Sequence, residues 1–302
     1  MIRRILTYLL LSIALAHSTF AQQYHAVLIT GGCPWYEGKA FNDMFWNDTY
    51  LMWETLKNHG YDVDNIHVLY YDGMDFPESK PRYTRPYGTA PVTDAPANYA
   101  DVQSTFATLA NTMTNNDVLL IWTFGHGDTR YNNISALVLH DSEILDSDFA
   151  DLVNSVPCAK RIILMAQCYG GGFIDNLEGN KTVILTACGA NELAQTADNI
   201  NPDGDDPAEN EGYGEDTCRH SEFNYHVLNA MRNATICENA PVESDVDYNG
   251  GVSMNEAKEF EFQRDSYQNY DPPKYHRSSC RKQPTQAFPR ILGDDSRSLR
   301  IG

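Results

Sequence analysis

The 302-residue sequence predicts an α/β fold built on a doubly wound, mostly parallel sheet flanked by helices. Three observations support this. Apolar, β-rich runs recur along the chain, helix-period segments separate most of them, and two runs end in glycine-rich turns that carry reactive side chains. With 42% hydrophobic residues the chain can fill a large core without metal or disulfide staples.

The elements follow in order. Residues 25–30 form the first strand, and Gly31-Gly32-Cys33-Pro34 is its exit loop. Residues 41–58 read as a helix, with Phe41, Phe45, Leu51 and Leu56 among polar residues and His59-Gly60 as its stop. Residues 66–71 are the second strand. The proline-rich stretch 72–97 reads as a long surface loop, and residues 100–113 as a helix. The third strand, 118–124, runs into Gly125-His126-Gly127-Asp128. An extended piece at 136–140 and a helix at 147–153 lead to the fourth strand, 162–166, which runs into Gln167-Cys168-Tyr169-Gly170. A fifth strand at 183–187 and a helix at 222–231 complete the core. The acidic, Pro- and Gly-containing segment 198–216 is a solvated loop, with a lid or a cleavage segment as the functional alternative. Residues 266–302 read as an irregular tail.

If the third and fourth strands are parallel neighbours, His126 and Cys168 share the carboxyl edge of the sheet, where open α/β folds place ligands. A histidine beside a cysteine can hold the thiol as a thiolate, the form that attacks a carbonyl carbon. The N–H groups of Gly127 and Cys168 are then the candidate donors to a developing oxyanion. A lone histidine at a strand end is usually structural, and a lone cysteine is usually a small buried hydrophobe. The flanking glycines favour chemistry over both readings.

At these residues the chain resembles the caspase and legumain clan of cysteine peptidases, and its legumain-like branch most closely. The shared pattern is a hydrophobic strand ending in His-Gly followed by another ending in a cysteine, here L-L-I-W-T-F-G-H-G-D and I-I-L-M-A-Q-C-Y-G-G-G. Gly31, Trp35-Tyr36, Pro96-Ala97-Asn98-Tyr99 and Thr186-Ala187 extend the likeness over residues 24–235. The resemblance implies a caspase-like fold, a His126 and Cys168 dyad, and a peptide or protein substrate. The chain has Cys33 where legumain has an asparagine that supports the histidine, Lys39 where a specificity-pocket arginine stands, and Ala166 in place of an acidic residue. Lys39 and Glu192 are the candidate substrate-binding residues.

A second motif stands apart. The twelve residues from Asp245 to Glu256 match an EF-hand-like calcium loop, with Asp245, Asp247 and Asn249 at positions 1, 3 and 5 and Gly250 at the sharp turn. Gly251 offers a carbonyl at position 7, Ser253 acts through water at 9, and Glu256 closes the shell at 12. The exiting helix spans 255–263, whereas the entry, 237–244, contains Pro241 and reads as loop. An Asp/Asn/Gly turn capping a helix is the plainer alternative. The expected cofactor is Ca2+, with no organic cofactor.

The divisions expected are a signal peptide at 1–21, a catalytic domain at 22–235, the calcium loop and helix at 236–265, and the tail. The leader pairs Arg3-Arg4 with an apolar run too short to serve as an anchor, which predicts export, secreted or periplasmic, and no membrane span afterwards. The net charge of −19 becomes two units more negative once the leader arginines go, a surface that repels nucleic acid and anionic lipid. Seven cysteines in an exported chain allow three disulfides with Cys168 left over, or else mostly buried free thiols. Asn47, Asn133, Asn180 and Asn233 each begin an Asn-X-Ser/Thr sequence. The function expected is therefore an exported cysteine endopeptidase or, by a close variant of the same chemistry, a transpeptidase. A catalytically silent calcium-binding module used for adhesion or assembly is the reading from a different class.

Overall fold

A computed structural model describes residues 21–32, 35–36, 39–40, 44–77, 81–130, 134–197, 219–236 and 239–265. The first twenty residues, the segment 198–218 and the tail from 266 lie outside the described residues, with the expectations that fell on them.

The strands are β1 (Tyr24–Thr30), β2 (Trp35–Tyr36), β3 (Lys39–Ala40), β4 (Ile66–Tyr70), β5 (Val118–Phe124), β6 (Gly127–Arg130), β7 (Ile134–Val138), β8 (Glu143–Leu145), β9 (Lys160–Met165) and β10 (Thr182–Thr186). The helices are α1 (Met44–Asn58), α2 (Tyr99–Thr112), α3 (Asp146–Asn154), α4 (Ile174–Leu177), α5 (Glu222–Arg232) and α6 (Met254–Arg264). The five core strands pair in parallel in the order β10-β9-β5-β1-β4. The fold class is therefore the mixed α/β architecture expected, a parallel sheet covered on both faces.

Alternation along the strands explains the two layers. Ala26 and Leu28 of β1 and Leu120 and Trp122 of β5 point into one core, with Phe45, Leu51 and Leu56 of α1 and Val227 and Leu228 of α5. Val27, Ile29, Leu119 and Ile121 point into the other, with Phe106 and Leu109 of α2 and Phe149 and Val153 of α3. A strand buried on both faces must be apolar at every position, and all seven residues of β5 are buried.

The helix ends also follow from sequence chemistry. Asn98 caps α2 by accepting from the Asp101 N–H at 2.8 Å, and Ser221 caps α5 through the Asn224 N–H at 3.3 Å. Ser253 and Glu256 form a reciprocal capping box at the start of α6. Met254, Ala257 and Phe260 of α6 enter the same core cluster as α1 and α5, so the helix after the acidic loop is packed into the α/β core.

Two expectations need correction. Residues 72–97 are not simply a surface loop, because Phe76, Tyr83 and Val92 are buried and the Tyr83 carbonyl accepts from Trp46 Nε1 at 2.8 Å. Cys158, Cys168 and Cys188 are free thiols, which leaves too few cysteines for three disulfides and makes Cys158 and Cys188 the buried thiols of the alternative reading. Of the Asn-X-Ser/Thr sequences, the one at Asn47 is closed to glycosylation in the folded chain, because Asn47 is buried and its amide donates to the Arg219 carbonyl at 3.0 Å.

A polar network inside the first core fastens α5 to α1. His220 Nδ1 lies 2.5 Å from Asp48 Oδ1 with both side chains fully buried, and His220 Nε2 lies 3.0 Å from the Tyr83 hydroxyl. Asp48 Oδ2 accepts from Ser221 N–H at 3.1 Å and Asn224 Nδ2 at 2.8 Å, while Asn224 Oδ1 accepts from Trp122 Nε1 at 3.0 Å. Truncating one member of a buried hydrogen-bonded network leaves its partners unsatisfied. Asp48→Ala is expected to cost roughly 3–5 kcal/mol, read as a lower urea midpoint at unchanged slope. A loss below 1 kcal/mol, about that of an exposed pair, would show that the network does not hold α5 in place.

Candidate active site

The sheet order dictates where a site can form. The chain runs from β1 outward to β4, then returns to the other side of β1 and continues outward through β5, β9 and β10. The direction of winding thus reverses between β1 and β5, and the crevice at their carboxyl ends is the place where such folds bind ligands. Gly31-Gly32 leaves β1 there, Gly125-His126-Gly127 leaves β5, and Gln167-Cys168 leaves β9.

Register brings the two reactive residues together. Thr123 pairs with Met165, and the Ala166 N–H donates to the Thr123 carbonyl at 2.8 Å. The ladder ends there, and His126 and Cys168 each stand three residues beyond its last pair. The backbones touch at the next residue: a Cβ on Gly127 would stand 1.9 Å from the Cys168 carbonyl oxygen. Only glycine allows that approach. Beneath the pair, the Thr123 hydroxyl donates to Gln167 Oε1 at 2.8 Å, a buried bond that ties the two strand ends.

Gly127 also pairs with Leu137 across β6 and β7, while the Val138 N–H donates to the His126 carbonyl at 3.0 Å. Bonded and non-bonded pairs alternate in an antiparallel ladder, so the Gly127 N–H turns away from β7. That leaves it available as a donor at the crevice.

Each reactive side chain has its own setting. His126 is exposed at one edge, and its ring packs edge to face on Phe45 at 5.3 Å between centroids and 76° between planes. Desolvation on that side draws its pKa below the ordinary histidine value, favouring the neutral ring that can accept a proton. Cys168 is half-buried, with Sγ 3.9 Å from the Ala194 carbonyl, a weak contact that leaves the thiol uncommitted. Tyr169 follows in the left-handed conformation at φ 59°, ψ 16°, and its N–H donates to the Glu192 carbonyl at 2.9 Å. Non-glycine residues rarely take that conformation, and such strain concentrates where a turn must present one side chain.

Cys188, the neighbouring thiol, behaves differently. It is fully buried, donates to the Gln167 and Glu192 carbonyls at 3.5 and 3.3 Å, and burial pushes its pKa up to about 12. Burial keeps it protonated, so of the two sulfurs Cys168 is the one placed to react.

Glu192 lies beside the Cys168 turn, with its carboxylate capping the Gly189 N–H at 2.7 Å. Lys39 sits in the β2–β3 hairpin opposite Tyr36, and its side chain lies outside the described residues. Phe45, against the His126 ring, and Tyr169, left-handed after Cys168, are the neighbours that residue type alone did not single out. The Gly31-Gly32 pair was the available signal for Phe45, since a Cβ on Gly32 would fall 2.7 Å from its ring.

The acidic loop forms a second cluster, away from the dyad in sequence. Carboxylate oxygens of Asp245, Asp247 and Glu256 lie within 4.8 Å of one another and are capable of coordinating a divalent cation. The loop closes on itself because Glu256 Oε1 accepts from the Val246 and Asp247 N–H groups at 3.0 and 3.3 Å, and Asp245 accepts from Asn249 and Gly250. Asn249 donates through Nδ2 to Asp247 at 2.7 Å, and Gly250 takes φ 88° at the turn. Ser253 is committed to the cap of α6, and the entry before Asp245 is irregular, as expected.

No protein-family model matches the chain, and no curated protein matches it. Among solved structures, the crystal structure of a Geobacter sulfurreducens protein, a structural-genomics target, is similar in fold. It shares 13% identity at a TM-score of 0.51, over 89% of this chain and 97% of that one. Among the described residues, no helix is long and apolar enough to cross a membrane.

Proposed function

We propose that the chain is an exported cysteine endopeptidase of caspase-like fold, with His126 and Cys168 as its dyad. The observation that carries this reading is the contact of Gly127 with the Cys168 carbonyl at the point where the sheet reverses its winding. In this mechanism His126 accepts the Cys168 proton as Sγ attacks the scissile carbonyl carbon, and the Gly127 and Cys168 N–H groups hold the oxyanion. His126 then protonates the departing amine, which leaves a thioester on Cys168. Attack by water, with His126 as base, releases the acid and returns the proton to sulfur. Glu192 and Lys39 are assigned to the substrate side of the crevice. A fluorogenic peptide library varied at the cleaved position tests the reading. Turnover of at least one sequence class is expected, and absence of turnover across the library, with Ca2+ present, sinks it in favour of a silent module.

The loop at Asp245 to Glu256 is assigned to Ca2+ by its ligand set, in which side-chain and carbonyl oxygens fall at the spacing a hard cation of that size takes. Calorimetric titration of the metal-free protein is expected to show a single Ca2+ event and a melting temperature that rises with Ca2+. Asp247→Ala, which spares the helix cap, should weaken binding by about tenfold or more. A flat titration removes calcium from the account.

A further inference from the structure

Among the described residues, no hydrogen-bonding group contacts the His126 ring, although a proton-transferring histidine needs a fixed orientation. What touches the ring is carbon. Phe45, in the first turn of α1, stacks edge to face on His126 and is itself 2% exposed. It is wedged on two further sides: its ring meets Phe124, the last residue of β5, at 5.2 Å and 67°, and Gly32 passes so close that any Cβ there would fall 2.7 Å from the ring. An aromatic side chain held on three sides cannot rotate without disturbing the carboxyl ends of β1 and β5.

We infer that Phe45 is a positioning residue for His126, an aromatic wall that sets the orientation of the imidazole by packing. This rests on the proposed dyad and deepens it. Edge-to-face contacts of this kind add to the effect of buried area about as much as one ordinary hydrogen bond does, so a ring can do the orienting work of a polar partner. The wall also keeps water off one face of the imidazole, consistent with the depressed basicity noted above. Besides Cys168, the ionisable side chains placed by the chain near these strand ends include Asp128 in β6 and Glu192, whose carboxylate is held by the Gly189 N–H at 2.7 Å. Asp128 is already engaged by the Thr129 N–H at 2.7 Å and by Arg130, so no carboxylate substitutes for the wall.

The experiment compares wild type, Phe45→Leu, Phe45→Tyr and Gly32→Ala by two readouts. The first is the imidazole titration of His126 followed by NMR, assigned by its disappearance in His126→Ala. The second is peptide turnover against pH. Removing the ring with Leu, or displacing it with the added Cβ of Gly32→Ala, should move the His126 pKa up toward its ordinary value. The acid limb of kcat/KM should follow it to higher pH, and kcat should fall roughly tenfold to a hundredfold at nearly constant KM. Phe45→Tyr, which keeps the ring, should restore both. Gly32→Ala retains Phe45 and so covers the case in which Phe45→Leu does not fold. An unaltered His126 titration in both Phe45→Leu and Gly32→Ala overturns the inference. The titration needs no substrate, so an inactive wild type would count against the peptidase reading and leave the positioning role to be decided by NMR.

Discussion

Cys168→Ala should abolish peptide cleavage, lowering kcat/KM by roughly four orders of magnitude or more. Sulfur is the atom that forms the covalent bond, and alanine leaves nothing in its place. The effect should come without a loss of fold, because Cys168 is only half-buried and its one described side-chain contact is a 3.9 Å approach to a carbonyl. His126→Ala should cost a comparable amount, since members of one proton-transfer unit fail together. The two variants should differ in chemical labelling. Of the three described thiols, Cys158 and Cys188 are buried, so iodoacetamide reaching the native protein at these positions reports on Cys168 and its signal disappears with that residue. Undiminished turnover in either variant removes the proposed mechanism.

Gly127→Ala is the second large effect. Its Cβ would stand 1.9 Å from the Cys168 carbonyl oxygen and 2.8 Å from the carbonyl carbon, both backbone atoms of the nucleophile turn. Neither can swing aside as a side-chain tip could. The turn must retreat by more than 1 Å to reach ordinary contact, and a misplacement of that size costs on the order of a hundredfold in rate. The overpacking itself should cost about 1–3 kcal/mol, which a domain with this much buried core survives. The expected result is a folded protein, shown by circular dichroism and a cooperative melt, with kcat/KM down about a hundredfold or more. Wild-type turnover would mean that the approach of these two backbones has no part in the chemistry.

The five core strands were legible because a strand buried on both faces leaves a continuous apolar run. The observed bounds of β5 coincide with the expected ones, and the other four shift by one or two residues. The strands β6 and β8 were not legible. Gly127 to Arg130 is short, polar and half-exposed, with no alternation for the eye to catch, and it is stabilised by pairing with β7. The placing of His126 and Cys168 past the carboxyl ends of neighbouring strands followed from the order of elements alone. Their surroundings did not. Asp48 and His220 are separated by 172 positions, and nothing local in either segment announces a buried pair. Phe45 looked like one more apolar residue on a helix face until its neighbours were known.

The parallel pairing of β5 with β9 carries a consequence for when His126 and Cys168 can act together. Parallel strands cannot join by a tight turn, and the connection here runs through three antiparallel strands and α3 before β9 begins. Contacts of such sequence separation require a long loop to close before they reward the chain. Until they form, His126 and Cys168 belong to unrelated stretches of polymer, and the thiol is an ordinary one. In a chain proposed to cut other chains, the pair would therefore exist only where β5 and β9 have already paired, and an unfolded copy would carry the two side chains without the arrangement.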